Sequence, residues 1–158
     1  MVKKFRYATL SDIKQMQIVR NLVKENRLSK PELVTDEDVA LYISERGKGW
    51  LCEVQGQVVG FSIIDLQVNS VWALFVDPAF AEMGIGKELH RLMITWYFTK
   101  TKGNVVLGTA PNTRASKFYQ LQGWTAVGGY PNGEVKFELS YLDWRKKNQL
   151  FSRENYES

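Results

Sequence analysis

The sequence predicts a single α/β domain in which mostly antiparallel strands are flanked by helices. Its 158 residues suit one domain with a sizeable core. Two strand-like runs, 49–54 and 58–66, are joined by the short turn Gln55-Gly56-Gln57, which predicts an antiparallel hairpin. A third apolar run, Val71–Val76, leads through a glycine-containing loop into an amphipathic helix. Hairpin and strand–loop–helix together indicate the mixed fold class.

The first third of the chain predicts one strand and two helices. Phe5–Ala8 is a short strand, and Ser11 is the expected N-cap of the first helix. The loop around 26–34, which holds Pro31, is expected to reorient the chain. Thr35 and Asp38 form a capping-box pair at the start of the second helix. The first helix keeps helical spacing at Ile13, Met16, Val19 and Val23.

The last third predicts a strand at 104–109, a helix at 115–122 that stops at Gly123, and a hairpin at 124–127 and 133–140. We therefore expect a domain over residues 1–140 and a C-terminal tail over 141–158. The tail mixes aromatic and basic residues without clean periodicity. Two interpretations stay open for it: a short docking helix with frayed residues beyond, or a contact in a homodimer.

Composition and charge narrow the function classes. A net charge of +4 is too mild to indicate a nucleic-acid partner, although it suits an anionic cofactor. Cys52 is the only cysteine and His90 the only histidine, so the sequence has no metal-site spacing, and we expect no metal. We expect His90 to be exposed. No segment resembles a signal peptide or a membrane span, and we expect a cytoplasmic protein with no membrane partner.

The segment after Val76 carries the clearest chemical signal. Asp77-Pro78 ends the strand, and Gly84-Ile85-Gly86 opens a helix. Unpaired N–H groups and the macrodipole make a helix N-terminus favourable for anions, and glycines let the backbone approach a ligand closely. A Walker A loop would need glycine at Ala81 and Ser or Thr at Glu88, so that class is excluded. A dinucleotide fingerprint is disfavoured because Leu89 stands where a small residue belongs.

These residues resemble the GNAT superfamily of N-acetyltransferases. The acyl-CoA loop of that family is matched by Val76, Pro78, Gly84 and Gly86. Its second motif is matched by the segment from Asn112 to Trp124, which reads NTRASKFYQLQGW. The resemblance spans roughly residues 5–140 and implies a mixed, mostly antiparallel central sheet flanked by helices. The sequence departs from the family where Ala81 replaces the usual Gln or Arg and Glu82 replaces a usual glycine.

The resemblance also implies which residues bind acetyl-CoA. The backbone from Glu82 to Lys87 would hold the pyrophosphate, and a backbone N–H near Phe75 and Val76 would hold the thioester carbonyl. The strands at 71–76 and 105–107 are expected to separate, so that the pantetheine arm pairs with exposed backbone. The full set of expected cofactor-binding residues is Phe75, Val76, Glu82, Met83, Gly84, Ile85, Gly86, Lys87, Asn112 and Lys117. Asn112 is equally suited to cap the helix that follows it.

Tyr119 matches the family tyrosine that protonates the departing sulfur, which makes it the expected general acid. Many relatives carry a glutamate on the central strand, but Ser70 and Trp72 stand at the equivalent positions here. Asp65 is the expected base, with Glu53, Glu134 and Glu138 as other carboxylates, and a water relay would need none of them. Trp72 is also a candidate to line the acceptor site.

The sequence thus predicts an acyltransferase that moves an acetyl group from acetyl-CoA to a primary amine, on a small molecule or a peptide, by direct attack in a ternary complex. The alternative is a non-catalytic acyl-CoA-binding module that senses the cofactor or regulates a partner. The altered loop at Ala81 and Glu82 and the missing strand glutamate favour that alternative modestly. A nucleic-acid-binding domain is disfavoured by the mild charge.

Overall fold

A computed structural model describes residues 1–23 and 34–157. The predicted loop around Pro31 lies outside the described residues, apart from Val34 at its end. Contacts divide the chain into two compact units, Met1–Lys100 and Thr101–Ser158. Both units combine antiparallel strands with helices, so the predicted α/β fold class with a mostly antiparallel sheet is confirmed. The division between residues 1–140 and 141–158 stays a prediction.

In its described part, residues 1–23 and 34–100, the first unit contains an antiparallel meander of four strands and three α-helices. Its strands pair in sequence order, and the turn at Gln55-Gly56, which was expected from the sequence, joins β2 to β3. In chain order the elements are β1 (Lys3–Tyr7), α1 (Ile13–Leu22), α2 (Asp36–Leu41), β2 (Gly47–Val54), β3 (Gln57–Asp65), β4 (Ser70–Val76) and α3 (Ile85–Lys100). A π-helical turn, Tyr42–Arg46, links α2 to β2.

The two faces of this meander are covered differently. α1 and α2 cover one face, where Met16, Val19 and Phe61 belong to a closed apolar core. α3 covers the other face closely, because a Cβ at Gly60 would lie 3.1 Å from the Ile85 side chain and 3.2 Å from that of Leu89. The absence of a side chain at Gly60 thus lets the helix that follows the glycine loop pack directly on β3.

The helix starts agree only in part with the sequence-based expectations. Thr35 and Asp38 form the expected capping box, with hydrogen bonds of 2.9 and 3.1 Å between backbone N–H groups and side-chain oxygens. Ser11 is not the N-cap of α1, so that prediction was wrong. Instead Asp12 closes the turn, because its carboxylate accepts a 2.8 Å hydrogen bond from the Thr9 N–H and is also held by Arg6.

The second unit contains three strands and two α-helices. They are β5 (Val105–Thr109), α4 (Arg114–Leu121), β6 (Thr125–Gly129), β7 (Val135–Leu139) and α5 (Tyr141–Glu157). β7 pairs antiparallel with both β5 and β6. Within this unit Phe137 is buried and its ring lies 6.3 Å from that of Tyr119. The tail forms a helix of 17 residues, longer than the short one expected. Among the described residues, no helix is long and apolar enough to cross a membrane.

Candidate active site

The loop between β4 and α3 exposes backbone where the sequence predicts a phosphate site. It begins with a 3-10 turn, Pro78–Phe80, which Asp77 caps by accepting a 2.9 Å hydrogen bond from the Ala79 N–H. Glu82 and Gly84 then adopt left-handed backbone conformations, with φ of 63° and 78°. A Cβ at Gly84 would have no described atom within 4 Å, so open space adjoins the backbone there.

The N-terminus of α3 lies at the end of this loop. The N–H of Glu88 donates to the carbonyl of Gly84 at 3.1 Å, which completes the first turn. The N–H groups before it, on Ile85, Gly86 and Lys87, have no intrahelical acceptor because they precede that bond. The macrodipole of this 16-residue helix adds partial positive charge at the same end. The segment is therefore suited to bind an anion through its backbone.

Two lysines and two carboxylates contribute to the charge of the loop. Lys87 is exposed on the first turn of α3. Lys3, on β1, donates from its Nζ to the carbonyl of Met83 at 2.6 Å, which brings a second cation to the loop. Asp77 caps the 3-10 turn, and Glu82 is exposed. Open backbone, a helix N-terminus and two lysines fit a diphosphate group, and Glu82 opposes it.

The backbone of β4 distinguishes between Phe75 and Val76, the two residues expected to hold the thioester carbonyl. The N–H of Asp77 donates to the carbonyl of Val59 at 2.8 Å, and Phe75 is paired with Phe61. Inward and outward N–H groups alternate along an antiparallel strand, so the N–H of Phe75 is committed to β3. The N–H of Val76 points away from β3. Val76 is therefore the better of the two candidates to donate to a carbonyl oxygen.

Asp65, the expected base, lies in a buried ion pair. Its side chain is 3% exposed, and Oδ2 accepts from Arg46 Nε and Nη2 at 3.1 and 2.7 Å. Oδ1 accepts from the backbone N–H of Gln67 at 2.8 Å. Both oxygens are thus engaged in holding the turn after β3 against the π-helical turn before β2. This arrangement favours a structural role, and the catalytic role stays a prediction.

The other carboxylates named from the sequence also have partners. Glu53 is paired with Arg6, which bridges it to Asp12. Glu134 accepts a 2.8 Å hydrogen bond from Asn132, and Glu138 one of 2.7 Å from Asn104. Each of these three carboxylates is thus engaged with a neighbouring side chain.

Tyr119, the expected general acid, is buried in the second unit on α4. Its ring makes edge contacts with Phe118 and Trp124, at centroid distances of 5.3 and 5.6 Å. Burial raises the pKa of the Tyr119 hydroxyl above its ordinary value. Because the charged phenolate is disfavoured by desolvation, the hydroxyl keeps its proton at neutral pH.

The start of α4 contradicts one of the two roles expected for Asn112, that of N-cap. Thr113 is the N-cap, and its Oγ1 accepts from the Ser116 N–H at 3.2 Å. Asn112 precedes the cap in a left-handed conformation with φ of 58°, so the capping prediction was wrong. Asn112 and Lys117 are both exposed. Their expected roles in cofactor binding stay predictions.

The structure corrects the expectation for His90 and adds detail for Trp72. His90 is buried, with 6% exposure, so the expectation of an exposed histidine was wrong. The buried surface of α3 is wider than a simple apolar stripe and includes His90 beside Leu89.

Trp72 falls in a bulge, because Ile63 pairs with Ala73 while Ile64 pairs with Val71. Trp72 is half-buried, and its ring stacks on that of Tyr42 at 3.9 Å.

The sequence profile of the acetyltransferase (GNAT) family matches residues 16–124, well over half of the chain. The protein belongs to the GNAT acetyltransferase family. Membership of this family indicates acyltransferase activity, and the matched range includes the loop, α3 and the whole of α4. A comparison with curated protein sequences found no match.

Solved GNAT structures share the fold at low sequence identity. The PaiA N-acetyltransferase of Thermoplasma acidophilum, in complex with coenzyme A, is 15% identical, with a TM-score of 0.77 over 89% of this chain and 100% of that one. An N-acetyltransferase of Staphylococcus aureus Mu50 is 19% identical, with a TM-score of 0.71 over 89% and 99%. The ribosomal-protein-S18-alanine N-acetyltransferase of Escherichia coli is 14% identical, with a TM-score of 0.67 over 89% and 94%.

Sequence reasoning missed two side chains that bear on this GNAT site. Lys3 lies far from the loop in sequence and reaches Met83 only because β1 joins the meander. Arg20 lies on α1, where its spacing reads as surface, yet its guanidinium lies over the rings of Trp72 and Phe75. The local sequence pattern contained no signal for either residue, because both contacts depend on the packing of distant segments.

Proposed function

We propose that this GNAT protein transfers an acetyl group from acetyl-CoA to a primary amine by direct attack in a ternary complex. The observation that carries the proposal is the glycine loop that ends at the N-terminus of α3, where Ile85, Gly86 and Lys87 offer unpaired N–H groups. Family membership and the coenzyme A in the PaiA N-acetyltransferase structure support the choice of donor.

Direct attack is supported by the state of Cys52. It is the only cysteine in the sequence, it is fully buried, and burial raises the pKa of its thiol. A thiolate is the reactive form of cysteine, so a buried thiol of raised pKa is a poor acyl carrier. The amine nitrogen would therefore bond to the acetyl carbon directly, and the carbon–sulfur bond of the thioester would break.

In the proposed mechanism each named group of the protein has one role. The Val76 N–H donates to the acetyl oxygen and stabilises its developing negative charge. Water receives the proton that the amine loses, while Tyr119 donates its hydroxyl proton to the departing sulfur and regains a proton from solvent. The loop from Glu82 to Lys87 holds the diphosphate through backbone N–H groups, with Asn112 and Lys117 as further contacts. Bound acetyl-CoA supplies the activated acyl group.

The first experiment is a calorimetric titration with acetyl-CoA and with free CoA, followed by a panel of amines in an assay that detects released thiol. We expect micromolar binding of both ligands and thiol release with some amines. Binding without release across a broad panel would instead support the non-catalytic sensor. No binding of either ligand would overturn both proposals, and the family fold would then remain without the family chemistry.

Partners and compartment are proposals of the same kind. We propose a small-molecule or peptide amine as acceptor, no nucleic-acid or membrane partner, and a cytoplasmic location. The mild net charge and the single reduced cysteine support these choices.

A homodimer formed through α5 is supported by the exposed side chains of Leu142 and its neighbours. Sedimentation of the whole chain and of a chain ending at residue 140 would test it.

A further inference from the structure

An arginine and three aromatic rings form a cluster on the α1 side of the meander. The guanidinium carbon of Arg20 lies 5.4 Å from the ring centroid of Trp72 and 5.4 Å from that of Phe75. The ring of Tyr42 stacks on Trp72 at 3.9 Å and an interplanar angle of 7°. We call Arg20, Tyr42, Trp72 and Phe75 the arginine–aromatic cluster. All four side chains are half-buried and so remain reachable from solvent.

The guanidinium of Arg20 keeps its hydrogen-bonding capacity. Its side chain donates no hydrogen bond and forms no ion pair with any residue in 1–23 or 34–149, the part whose side chains are described. Burial lowers its pKa from the ordinary value, because the charged form loses solvent. Asp38 is the acidic group whose charge acts on it, but Asp38 is bound to the Thr35 N–H instead. A partly desolvated cation whose donors have no partner among the described residues is suited to an anionic ligand.

The cluster adjoins the proposed reaction centre. Phe75 precedes Val76, whose N–H is the candidate donor to the acetyl oxygen. The opposite face of β3 and β4 is closed by α3, where Ile85, Leu89 and Met93 are at most 1% exposed. On the side of α1, Trp72, Phe75 and Val76 are half-buried at the margin of the core, so an acceptor can approach this part of β4 from the face that carries the cluster. There the bulge in β4 presents Trp72.

We propose that the acceptor of this enzyme carries a carboxylate, and that Arg20 binds it. The inference rests on the proposed function and names its substrate class: amino acids or short peptides that combine a primary amine with a free carboxylate. The planar guanidinium matches a carboxylate with two parallel hydrogen bonds, a geometry that lysine lacks. Trp72 and Tyr42 contact the apolar part of the acceptor. The carboxylate itself forms and breaks no bond in the transfer.

The test compares amines in pairs that differ only at the carboxylate: amino acids and dipeptides against their C-terminal amides. Released thiol is measured for the wild type, Arg20→Gln, Arg20→Lys and the control Lys14→Gln. Lys14 lies on the same helix, carries the same charge and is exposed. We expect the wild type and the control to prefer the free acids.

Arg20→Gln should lower kcat/KM for the acids by about tenfold or more, as expected when a charge-assisted hydrogen bond is lost. The same variant should leave the amides unchanged, and Arg20→Lys should recover part of the preference. An acid-to-amide ratio that is the same in Arg20→Gln and the wild type would overturn the inference.

Failure of the inference and failure of the proposed function are distinguishable. Acetyl-CoA titration of Arg20→Gln should give the wild-type affinity, which shows that the variant is folded. If no amine releases thiol in the wild type, the transferase proposal fails, and the same acid and amide pairs are titrated calorimetrically in the presence of CoA. A binding preference for acids that Arg20→Gln abolishes supports the carboxylate site. Equal binding of both members of a pair, or binding of neither, overturns it.

Discussion

Arg46 donates two hydrogen bonds to one oxygen of Asp65, from Nε at 3.1 Å and from Nη2 at 2.7 Å. Because the other oxygen accepts from the Gln67 N–H, we expect Asp65→Asn to lower the midpoint of thermal unfolding while kcat changes by less than about threefold. Glu138→Gln is the control, since that carboxylate bonds to Asn104 at an exposed position. A fall in kcat of about 100-fold or more with an unchanged midpoint would make Asp65 the base after all.

Tyr119→Phe should lower kcat by about 100-fold while the affinity for acetyl-CoA stays within about twofold, since the variant removes one proton donor and keeps the ring. Tyr97→Phe is a matched control. Tyr97 is also buried, burial raises its pKa to about 12, and it has no proposed role in the reaction. Equal kcat values for wild type and Tyr119→Phe would remove Tyr119 from the mechanism.

Glu82→Gly should tighten acetyl-CoA binding by about three- to tenfold, because it removes a carboxylate from the loop proposed to hold the diphosphate. It should also raise the free energy of unfolding by about 0.5 kcal/mol, because glycine adopts a φ of 63° without strain. Gln55→Gly is the control: its φ is 52° in the turn between β2 and β3, so it should share only the stability gain. Calorimetry and urea unfolding measure the two effects, and an unchanged affinity in Glu82→Gly would place the diphosphate elsewhere.

Acid should destabilise the protein partly through Asp12. Arg6 holds the pKa of the Asp12 carboxyl at about 2, below an unfolded value near 3.9. The folded state thus binds fewer protons than the unfolded one between these values. The resulting stability, up to about 2 kcal/mol, is present above pH 4 and is lost as the pH falls towards 2.

Asp12→Asn should therefore lower the free energy of unfolding at pH 6 and flatten its dependence between pH 4 and pH 2. Asp36→Asn, at an exposed position, should preserve the wild-type slope. Urea unfolding at several pH values gives the comparison. A slope that Asp12→Asn leaves intact would show that other carboxylates control acid unfolding.

Local pattern was sufficient for most of the elements. The capping box at Thr35 and Asp38, the hairpin turn at Gln55-Gly56 and the helix after Gly84 all follow from interactions between residues a few positions apart. The wrong capping predictions arose where several neighbouring residues satisfy the same rule. Ser11 and Asn112 are good capping residues, but the bonds are made by the side chains of Asp12, which accepts from the Thr9 N–H, and of Thr113, which accepts from the Ser116 N–H.

The sequence by itself determined the fold class, the family and the position of the glycine loop before α3, because each depends on spacing along the chain. Only the tertiary structure decided the surroundings of the side chains. Asp65 meets Arg46, Lys3 reaches Met83, and Arg20 lies over Trp72 and Phe75, since strand pairing and helix packing bring together residues that are up to 80 positions apart. The pKa of Asp12, which Arg6 lowers, and the pKa of Tyr119, which burial raises, likewise depend on the packed chain.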